Sequence, residues 1–184
     1  MKPFALFLSL LPILGLAACH SGHPPMQTVG HVDLERFMGK WYVVAAIPTF
    51  LEKNAYDAIE SYELTKDGNI ATTFTYRDGG FDGDKKVYRP TGFVRDTETN
   101  ARWGMQFVCP IKADYRIVYL DRDYTQTVIA RQKRDYVWIM ARTPAIPESD
   151  YAKLTRFVAG LGYDISELRR VPHRTTPAPL EDQS

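Results

Sequence analysis

The side chains best suited to acid–base, nucleophilic or metal chemistry are scarce in the central part of this chain. All four histidines lie in the segments that flank the patterned region, and they are His20, His23, His31 and His173. Because histidine is the usual general base near neutral pH and a common metal ligand, this distribution excludes a histidine-based catalytic or metal site in the middle of the fold. We therefore predict no enzyme activity, no metal and no cofactor. Any catalysis would have to use Asp, Glu, Tyr or Cys109.

The two cysteines stand in different surroundings. Cys109 has no evident catalytic partner and is predicted to be a small, buried or half-buried hydrophobe. Cys19 follows Lys2, an apolar run over residues 4–14 and the small-residue sequence Leu-Ala-Ala. This order is typical of a cleaved export signal, and the run is shorter than the ~20 apolar residues of a transmembrane helix.

The stretch Leu16-Ala17-Ala18-Cys19 resembles the lipobox of bacterial lipoproteins. The resemblance implies cleavage after Ala18 and acylation of Cys19, which would anchor the mature chain to a membrane. His20, in place of Asp after the cysteine, is consistent by the same resemblance with the periplasmic side of the outer membrane. An ordinary secretory signal, with Cys19 near the cleavage site by chance, is the alternative.

The remaining chain has the size and charge of one ordinary domain. Without the 18-residue signal and its single lysine, 166 residues remain, with 22 basic and 22 acidic side chains. This balance provides no basic excess for binding nucleic acid. An acylated Cys19 also leaves no partner for a disulfide, so the core must stabilise the fold. We predict a flexible tether over residues 19–31, a folded domain over 32–171 and a disordered tail over 172–184.

The folded domain is predicted to be mainly β, an eight-stranded antiparallel up-and-down barrel with one helix on its outside. Short connections rich in turn residues separate the strands, and closure of the sheet would remove its exposed edges. The helix follows Pro147, where apolar side chains recur at spacings of three and four as far as Leu161. The predicted strands cover residues 39–47, 58–64, 69–77, 85–94, 101–108, 114–120, 125–132 and 135–142.

The first and last predicted strands are apolar on both faces, whereas the third alternates apolar and polar residues. In the first strand, Trp41, Val43, Ala45 and Ile47 are predicted to share one face. Two-sided burial confined to the first and last strands indicates that they are neighbours in a closed sheet. We therefore expect the helix to cover the seam between them.

Three short motifs in this pattern resemble those of the lipocalin family. They are Gly39-Lys40-Trp41, the segment from Asp121 to Tyr124 that contains Asp123, and the strand end at Arg142. The match is closest to bacterial outer-membrane lipocalins. The resemblance implies that Trp41 plugs the closed end of the barrel and that the Arg142 guanidinium lies across its ring.

The same resemblance implies that the chain binds a lipophilic molecule, with fatty acids and lysophospholipids as the leading candidates. An eight-stranded barrel has room inside for side chains or for one small ligand. Two alternatives remain open, an envelope-tethered interaction module with a side-chain-filled barrel and a lipid-modifying enzyme. Ligand identity, oligomeric state and the residue that holds a head group are also left open. The candidate pocket or lid residues are Phe50, Leu51, Tyr56, Phe74, Tyr76, Arg77 and Arg89.

Overall fold

The computed structural model describes residues 23–174. The predicted signal, Cys19 and the last ten residues of the predicted tail lie outside this range. The described strands are β1 (Gly39–Ile47), β2 (Ala55–Leu64), β3 (Ile70–Asp78), β4 (Lys85–Tyr88), β5 (Thr91–Val94), β6 (Arg102–Val108), β7 (Ile111–Leu120), β8 (Gln126–Ala130), β9 (Val137–Ala141) and β10 (Arg169–Arg170). The helices are α1 (Leu34–Phe37) and α2 (Glu148–Gly160), and a 3₁₀ turn covers Ile165–Glu167.

The strands form one antiparallel sheet that closes on itself, because β9 pairs with β1 as well as with β8. The prediction of an eight-stranded up-and-down barrel followed by one main helix is therefore confirmed. The predicted strand 85–94 is two short strands in the structure, β4 and β5, which are separated by Arg89 and Pro90. Proline lacks the amide hydrogen that a continuous strand would need there. Three features were not predicted, the short helix α1, the 3₁₀ turn over Ile165–Glu167 and the two-residue strand β10 beside β1.

The break between β4 and β5 leaves one part of the barrel wall without strand-to-strand hydrogen bonds, on the side of β4 that faces away from β3. β5 pairs with both β3 and β6, whereas β4 pairs with β3 alone among the described strands. The outer edge of β4 is therefore not joined to the end of β6 at Phe107 and Val108. Only a T-shaped contact between the Tyr88 and Phe107 rings, 6.5 Å apart, is seen between aromatic side chains across this gap.

A β-bulge in β1 changes which side chains face the barrel interior. Val43 pairs with Met140 and Ala45 with Ile139, so Val44 is an extra residue in the ladder. Trp41, Val43 and Ala46 consequently belong to the inner cluster, while Ala45 and Ile47 belong to the cluster outside the barrel. The predicted common face for Trp41, Val43, Ala45 and Ile47 is wrong beyond Val43, because strict alternation does not continue through a bulge.

Helix α2 packs on the outside of the barrel through Leu154 and Val158, which are fully buried. Their cluster contains residues of β1, β7, β8 and β9, including Ala45, Val128 and Ile139. The helix therefore covers the seam between the first and last strands, and it extends beyond it. The expectation that only those two strands are buried on both faces is wrong, since residues Thr127–Ala130 of β8 are all buried.

Both predicted flexible flanks are partly folded onto the barrel. Met26 is buried, and its backbone amide donates to Oε1 of Gln132 at 2.9 Å. At the other end, the Asp57 amide donates to the Pro172 carbonyl at 2.8 Å, and the His173 ring lies 2.8 Å from the Val43 carbonyl oxygen. The tether and tail boundaries at residues 31 and 172 are therefore wrong. Met26 belongs to the predicted tether, Pro172 and His173 belong to the predicted tail, and hydrogen bonds hold all three against the barrel.

Candidate functional site

One end of the barrel is closed by a cluster of buried aromatic rings around Trp41. The Trp41 ring centroid lies 5.0 Å from that of Phe37, and the indole N–H donates to the Phe37 carbonyl at 2.8 Å. Phe37 also contacts Tyr62 and Trp103, at centroid distances of 5.7 and 5.5 Å. Helix α1 supplies Phe37, so this short helix contributes to the closure. The Trp41 side chain is completely buried here and is not available to a ligand.

Arg142 lies against the outer side of this cluster. Its Cζ atom is 3.8 Å from the centroid of the Trp41 ring. Its guanidinium donates to the carbonyls of Lys40 and Arg36, each at 2.8 Å, of Phe37 at 3.1 Å and of Tyr124 at 3.2 Å. Burial lowers the pKa of Arg142 from its ordinary value. The side chain thus provides hydrogen-bond donors for four backbone carbonyl oxygens and covers the Trp41 ring.

The other motif residues lie around this guanidinium. Gly39 has a φ of +90°, and a Cβ there would lie an ordinary 3.5 Å from Arg142, so the backbone conformation and not the space requires glycine. The Tyr124 hydroxyl accepts from the Asp33 amide at 2.9 Å, and Arg36 lies 4.0 Å above the Tyr124 ring.

Asp123 is exposed, and the turn before β8 is organised by Asp121 instead. The Asp121 carboxylate accepts from the backbone amides of Thr125 and Gln126, each at 2.7 Å. It also accepts from the Thr125 hydroxyl at 2.6 Å. The predicted motif segment is therefore in place, but its hydrogen-bonding carboxylate is Asp121.

The opposite end of the barrel contains a cavity of about 490 Å³. It lies between the Trp41 cluster and the mouth, where β1 and β6 end and β9 begins, and most of its surface is apolar. This volume falls within the range of small-molecule sites in proteins. Four of the seven predicted pocket residues border it, and they are Phe50, Leu51, Phe74 and Arg89.

The other three predicted pocket residues do not border this cavity. Tyr76 is buried behind it, with its ring stacked 6.1 Å from Tyr88 and its hydroxyl donating to the Leu51 carbonyl, so it supports the loop after β1. Tyr56 contacts Phe81 outside the barrel, at a centroid distance of 5.1 Å. Arg77 donates to the Gly83 carbonyl at 3.1 Å. The predictions for Tyr56 and Arg77 are wrong because both side chains point to the outer face.

The deep end of the cavity carries a polar group that was not predicted. Glu60 borders the cavity and accepts a hydrogen bond from the Tyr62 hydroxyl, which lies 2.7 Å from the Tyr115 hydroxyl. The Tyr115 ring is stacked on Trp103 at 5.2 Å. Desolvation within the barrel raises the pKa of Glu60 to about 7. The position of Glu60 two residues before inward-facing Tyr62 is the sequence signal that would have placed it inside.

Two further ionisable groups border the cavity near its mouth. Glu52 is buried and accepts from the Trp138 indole N–H at 3.0 Å and from the Thr49 amide at 3.0 Å. Burial nevertheless raises its pKa. Arg131 lies 3.4 Å from Asp135, and its buried Nε has no hydrogen-bond partner in the described part of the chain. The mouth thus holds one cation whose hydrogen-bonding capacity is not fully used.

The described residues offer neither a metal site nor a membrane-spanning helix. Within residues 23–174, no cluster of three or more His, Cys, Asp or Glu side chains could hold a metal ion. No helix in this range is both long and apolar enough to cross a membrane. Cys109 is exposed at the turn between β6 and β7, so the prediction that it is buried is wrong.

Residues 32–173 match the family model described as a lipocalin-like domain. Temperature-induced lipocalin-1 of Arabidopsis thaliana is 30% identical over 161 residues, which cover 83% of this chain and 85% of the relative. The outer membrane lipoprotein Blc of Escherichia coli K12 is 26% identical over 172 residues, covering 87% and 95%. The family match thus spans the barrel, the helix and the described C-terminal segment.

Solved structures show the same fold at low sequence identity. Insecticyanin from the tobacco hornworm Manduca sexta superposes with a TM-score of 0.65 at 12% identity, covering 84% of this chain and 87% of that one. The cockroach allergen Per a 4 gives 0.59 at 16% identity, covering 83% and 96%. With the family match over 32–173, the closed barrel and the Trp41–Arg142 contact, the chain belongs to the lipocalin family.

Proposed function

We propose that this lipocalin binds a lipophilic molecule, a fatty acid or a lysophospholipid, and stores or transports it in the cell envelope. The observation that carries the proposal is the cavity of about 490 Å³, apolar over most of its surface and closed at one end by the Trp41 cluster. An acyl chain that buries about ten methylenes gains about 8 kcal/mol at ~0.8 kcal/mol each. Association costs several kcal/mol of this gain, so we expect micromolar affinity or somewhat better.

The charges around the cavity favour one orientation of such a ligand. A fatty-acid carboxylate placed at the deep end would meet Glu60, which becomes negative as the pH rises through its pKa of about 7. At the mouth, the same carboxylate would be near the cations Arg131 and Arg89. The two acids that also border the cavity already have partners, Glu52 with Thr49 and Trp138 and Asp114 with Arg116. We therefore infer that the acyl chain enters first and that the head group stays at the mouth.

We propose further that acylated Cys19 anchors the protein to the periplasmic side of the outer membrane. The lipobox-like Leu16-Ala17-Ala18-Cys19 and the following His20 support this location. One relative over most of the chain carries the name outer membrane lipoprotein. The alternative of an interaction module with a side-chain-filled barrel is disfavoured by the volume of the cavity.

Calorimetric titration with saturated fatty acids and lysophospholipids of increasing length tests the binding proposal. Every described strand and helix lies within residues 23–174, so a chain beginning at His23 retains the barrel and both hydrophobic clusters. We expect about one ligand per barrel and a loss of up to ~0.8 kcal/mol for each methylene withdrawn.

Phe74→Asp should abolish this binding because it places a charge in the cavity wall. Thr73→Asp on the same strand is the matched control, since Thr73 does not border the cavity. Circular dichroism should show that both variants retain the β fold. Affinity that is absent in the unaltered chain, or that is indifferent to chain length, would contradict the proposal.

A further inference from the structure

The mouth of the cavity is surrounded by large apolar side chains that face solvent. The exposed fractions are 75% for Phe50, 68% for Val108 and 69% for Ile111, with lower values for Phe107 and Leu51. Four of these five border the cavity, and the fifth, Ile111, pairs with Val108 across the β6–β7 turn. We call these five residues the open rim. Single exposed apolar residues are common, but a contiguous group around a cavity mouth indicates a binding surface.

The adjoining β3–β4 loop carries the exposed acids Asp82 and Asp84, which pair with Arg174 and Lys86, but the exposed charges of the open rim itself are positive. The rim residues lie in two segments, 48–54 and 107–112, whose exposed charged side chains are Lys53 and Lys112. The single acid in these segments, Glu52, is buried. Arg89, also exposed, borders the cavity beside the rim. Apolar side chains flanked by lysine and arginine match the interface of a bilayer that contains anionic lipid.

The N-terminal segment reaches the barrel at the same end. Pro24 accepts from Nη2 of Arg134 at 2.9 Å and from Nε2 of Gln132 at 3.1 Å, in the turn between β8 and β9. This turn lies at the mouth, because Val137 at the start of β9 pairs with Ile47 at the end of β1, and Arg131 just before the turn borders the cavity.

The sequence places Cys19 four residues before His23, a distance that an extended chain spans in at most ~14 Å. An anchor at Cys19 would therefore hold the mouth, and not the closed end, towards the membrane.

From these observations we propose that the open rim is a lipid-docking surface, and that the β6–β7 turn inserts into the interfacial layer of the bilayer. The cavity would then open directly onto the lipid. The proposal of a docking surface depends only on the residues of the open rim. The proposed anchor at Cys19 adds how the barrel is oriented towards the membrane.

Cys109 provides a probe at the tip of the proposed insertion. It is the sole cysteine in a chain that begins at His23, and it is exposed. With an environment-sensitive fluorophore on Cys109 and vesicles of phosphatidylethanolamine and phosphatidylglycerol, we expect a blue shift and co-flotation of the ligand-free protein. Both should persist in part at about 0.5 M salt, where charge attraction alone is screened. Binding that disappears completely in salt would overturn insertion.

Substitutions in the rim should reduce this partitioning. Val108→Asp with Ile111→Asp should weaken it by at least about tenfold, since burial of either side chain favours the bound state by more than ~1.4 kcal/mol. Leu64→Asp is the control, because Leu64 is an apolar residue with 41% exposure at the end of β2, next to the closed end of the barrel. A loss for this control equal to that of the rim variant would overturn the proposal.

Two other results would also overturn it. If the unaltered chain shows no vesicle association, the open rim is not a bilayer surface. If it instead forms dimers in size-exclusion chromatography that the rim variant abolishes, a second copy covers the rim. Titration with fatty acid in the absence of vesicles separates this proposal from the proposed function, because a barrel that binds fatty acid but not vesicles contradicts docking alone.

Discussion

At the residue scale, the least expected feature is the carboxyl group of Glu60 inside a lipid-sized cavity. The carboxyl accepts a hydrogen bond from the Tyr62 hydroxyl and borders the cavity. Tyr62 in turn is next to Tyr115, and desolvation raises the pKa of both phenols well above their ordinary value. The phenols therefore remain neutral, and Glu60 is the group at the cavity floor whose charge changes near neutral pH.

Replacement of Glu60 by Gln should stabilise the protein in a pH-dependent way. The native pKa is about 7 and the ordinary value is 4.5, so between these values the native state holds a proton that the unfolded chain has released. Stability of the unaltered chain therefore falls as the pH rises through this window, by on the order of 3 kcal/mol at most. Because Gln does not titrate, the advantage of Glu60→Gln should grow from about pH 4.5 to about pH 8.

Urea denaturation of both proteins across this pH range measures the effect. Glu63→Gln is the control, since Glu63 lies on the same strand with an exposed side chain. The difference in unfolding free energy between Glu63→Gln and the unaltered chain should stay nearly constant with pH. A constant difference for Glu60→Gln as well would show that the Glu60 carboxyl is not desolvated as the structure indicates.

At the scale of elements, Arg142 joins four parts of the chain that are distant in sequence. It follows β9 and binds carbonyls of α1, of β1 and of the turn before β8, and it covers the Trp41 ring. The closed end is thus held by one cation as well as by aromatic packing. Such a contact couples the two side chains energetically, because removal of either one also removes part of the stabilisation that the other provides.

A double-mutant cycle on Trp41 and Arg142 tests this coupling. Trp41→Ala should cost about 3–5 kcal/mol of unfolding free energy, and Arg142→Ala should cost less. The loss in the double variant should be smaller than the sum of the two single losses by roughly 0.5–2 kcal/mol. Trp41→Ala combined with Arg170→Ala is the control, because Arg170 lies 3.8 Å above the Tyr151 ring outside the barrel. That pair should be additive, and additivity in both cycles would rule out the Trp41–Arg142 coupling.

The order of the elements was predictable from local pattern, while details set by tertiary contacts were not. Strand periodicity and turn residues located the barrel, and the spacing through Leu154 and Val158 located α2. The bulge at Val44 and the break at Arg89–Pro90 depend on how strands meet their neighbours, which alternation within one strand does not encode. Alternation within β3 did place Phe74 inside and Arg77, one residue beyond Tyr76, on the outer face; the choice of Arg77 as a pocket candidate went against that pattern and is wrong.

At the scale of the whole molecule, the barrel combines a closely packed end with an end that contains a large cavity. Aromatic contacts and Arg142 fill the closed end, whereas the mouth relies on the loop after β1, which is held by the Tyr76 hydroxyl and by Glu52. The chain ends reinforce the structure from outside, through Met26 and through His173. A cavity without partner atoms forfeits dispersion contacts, so occupation by an apolar ligand should stabilise the entire barrel.

The free energy of thermal unfolding should therefore increase with ligand concentration. A fatty acid at about one hundred times its dissociation constant should add about 2.7 kcal/mol, provided that it does not bind the unfolded chain. For a domain of this length, each kcal/mol raises Tm by roughly 2–4 °C, so we expect a shift of about 5–10 °C. Calorimetric scans over a range of ligand concentrations measure it, and the shift should follow the logarithm of concentration above saturation. Phe74→Asp should show no shift while Thr73→Asp retains it, since only Phe74 borders the cavity. A Tm that does not change at saturating ligand in the unaltered chain would mean that the cavity is not the place where the lipid binds.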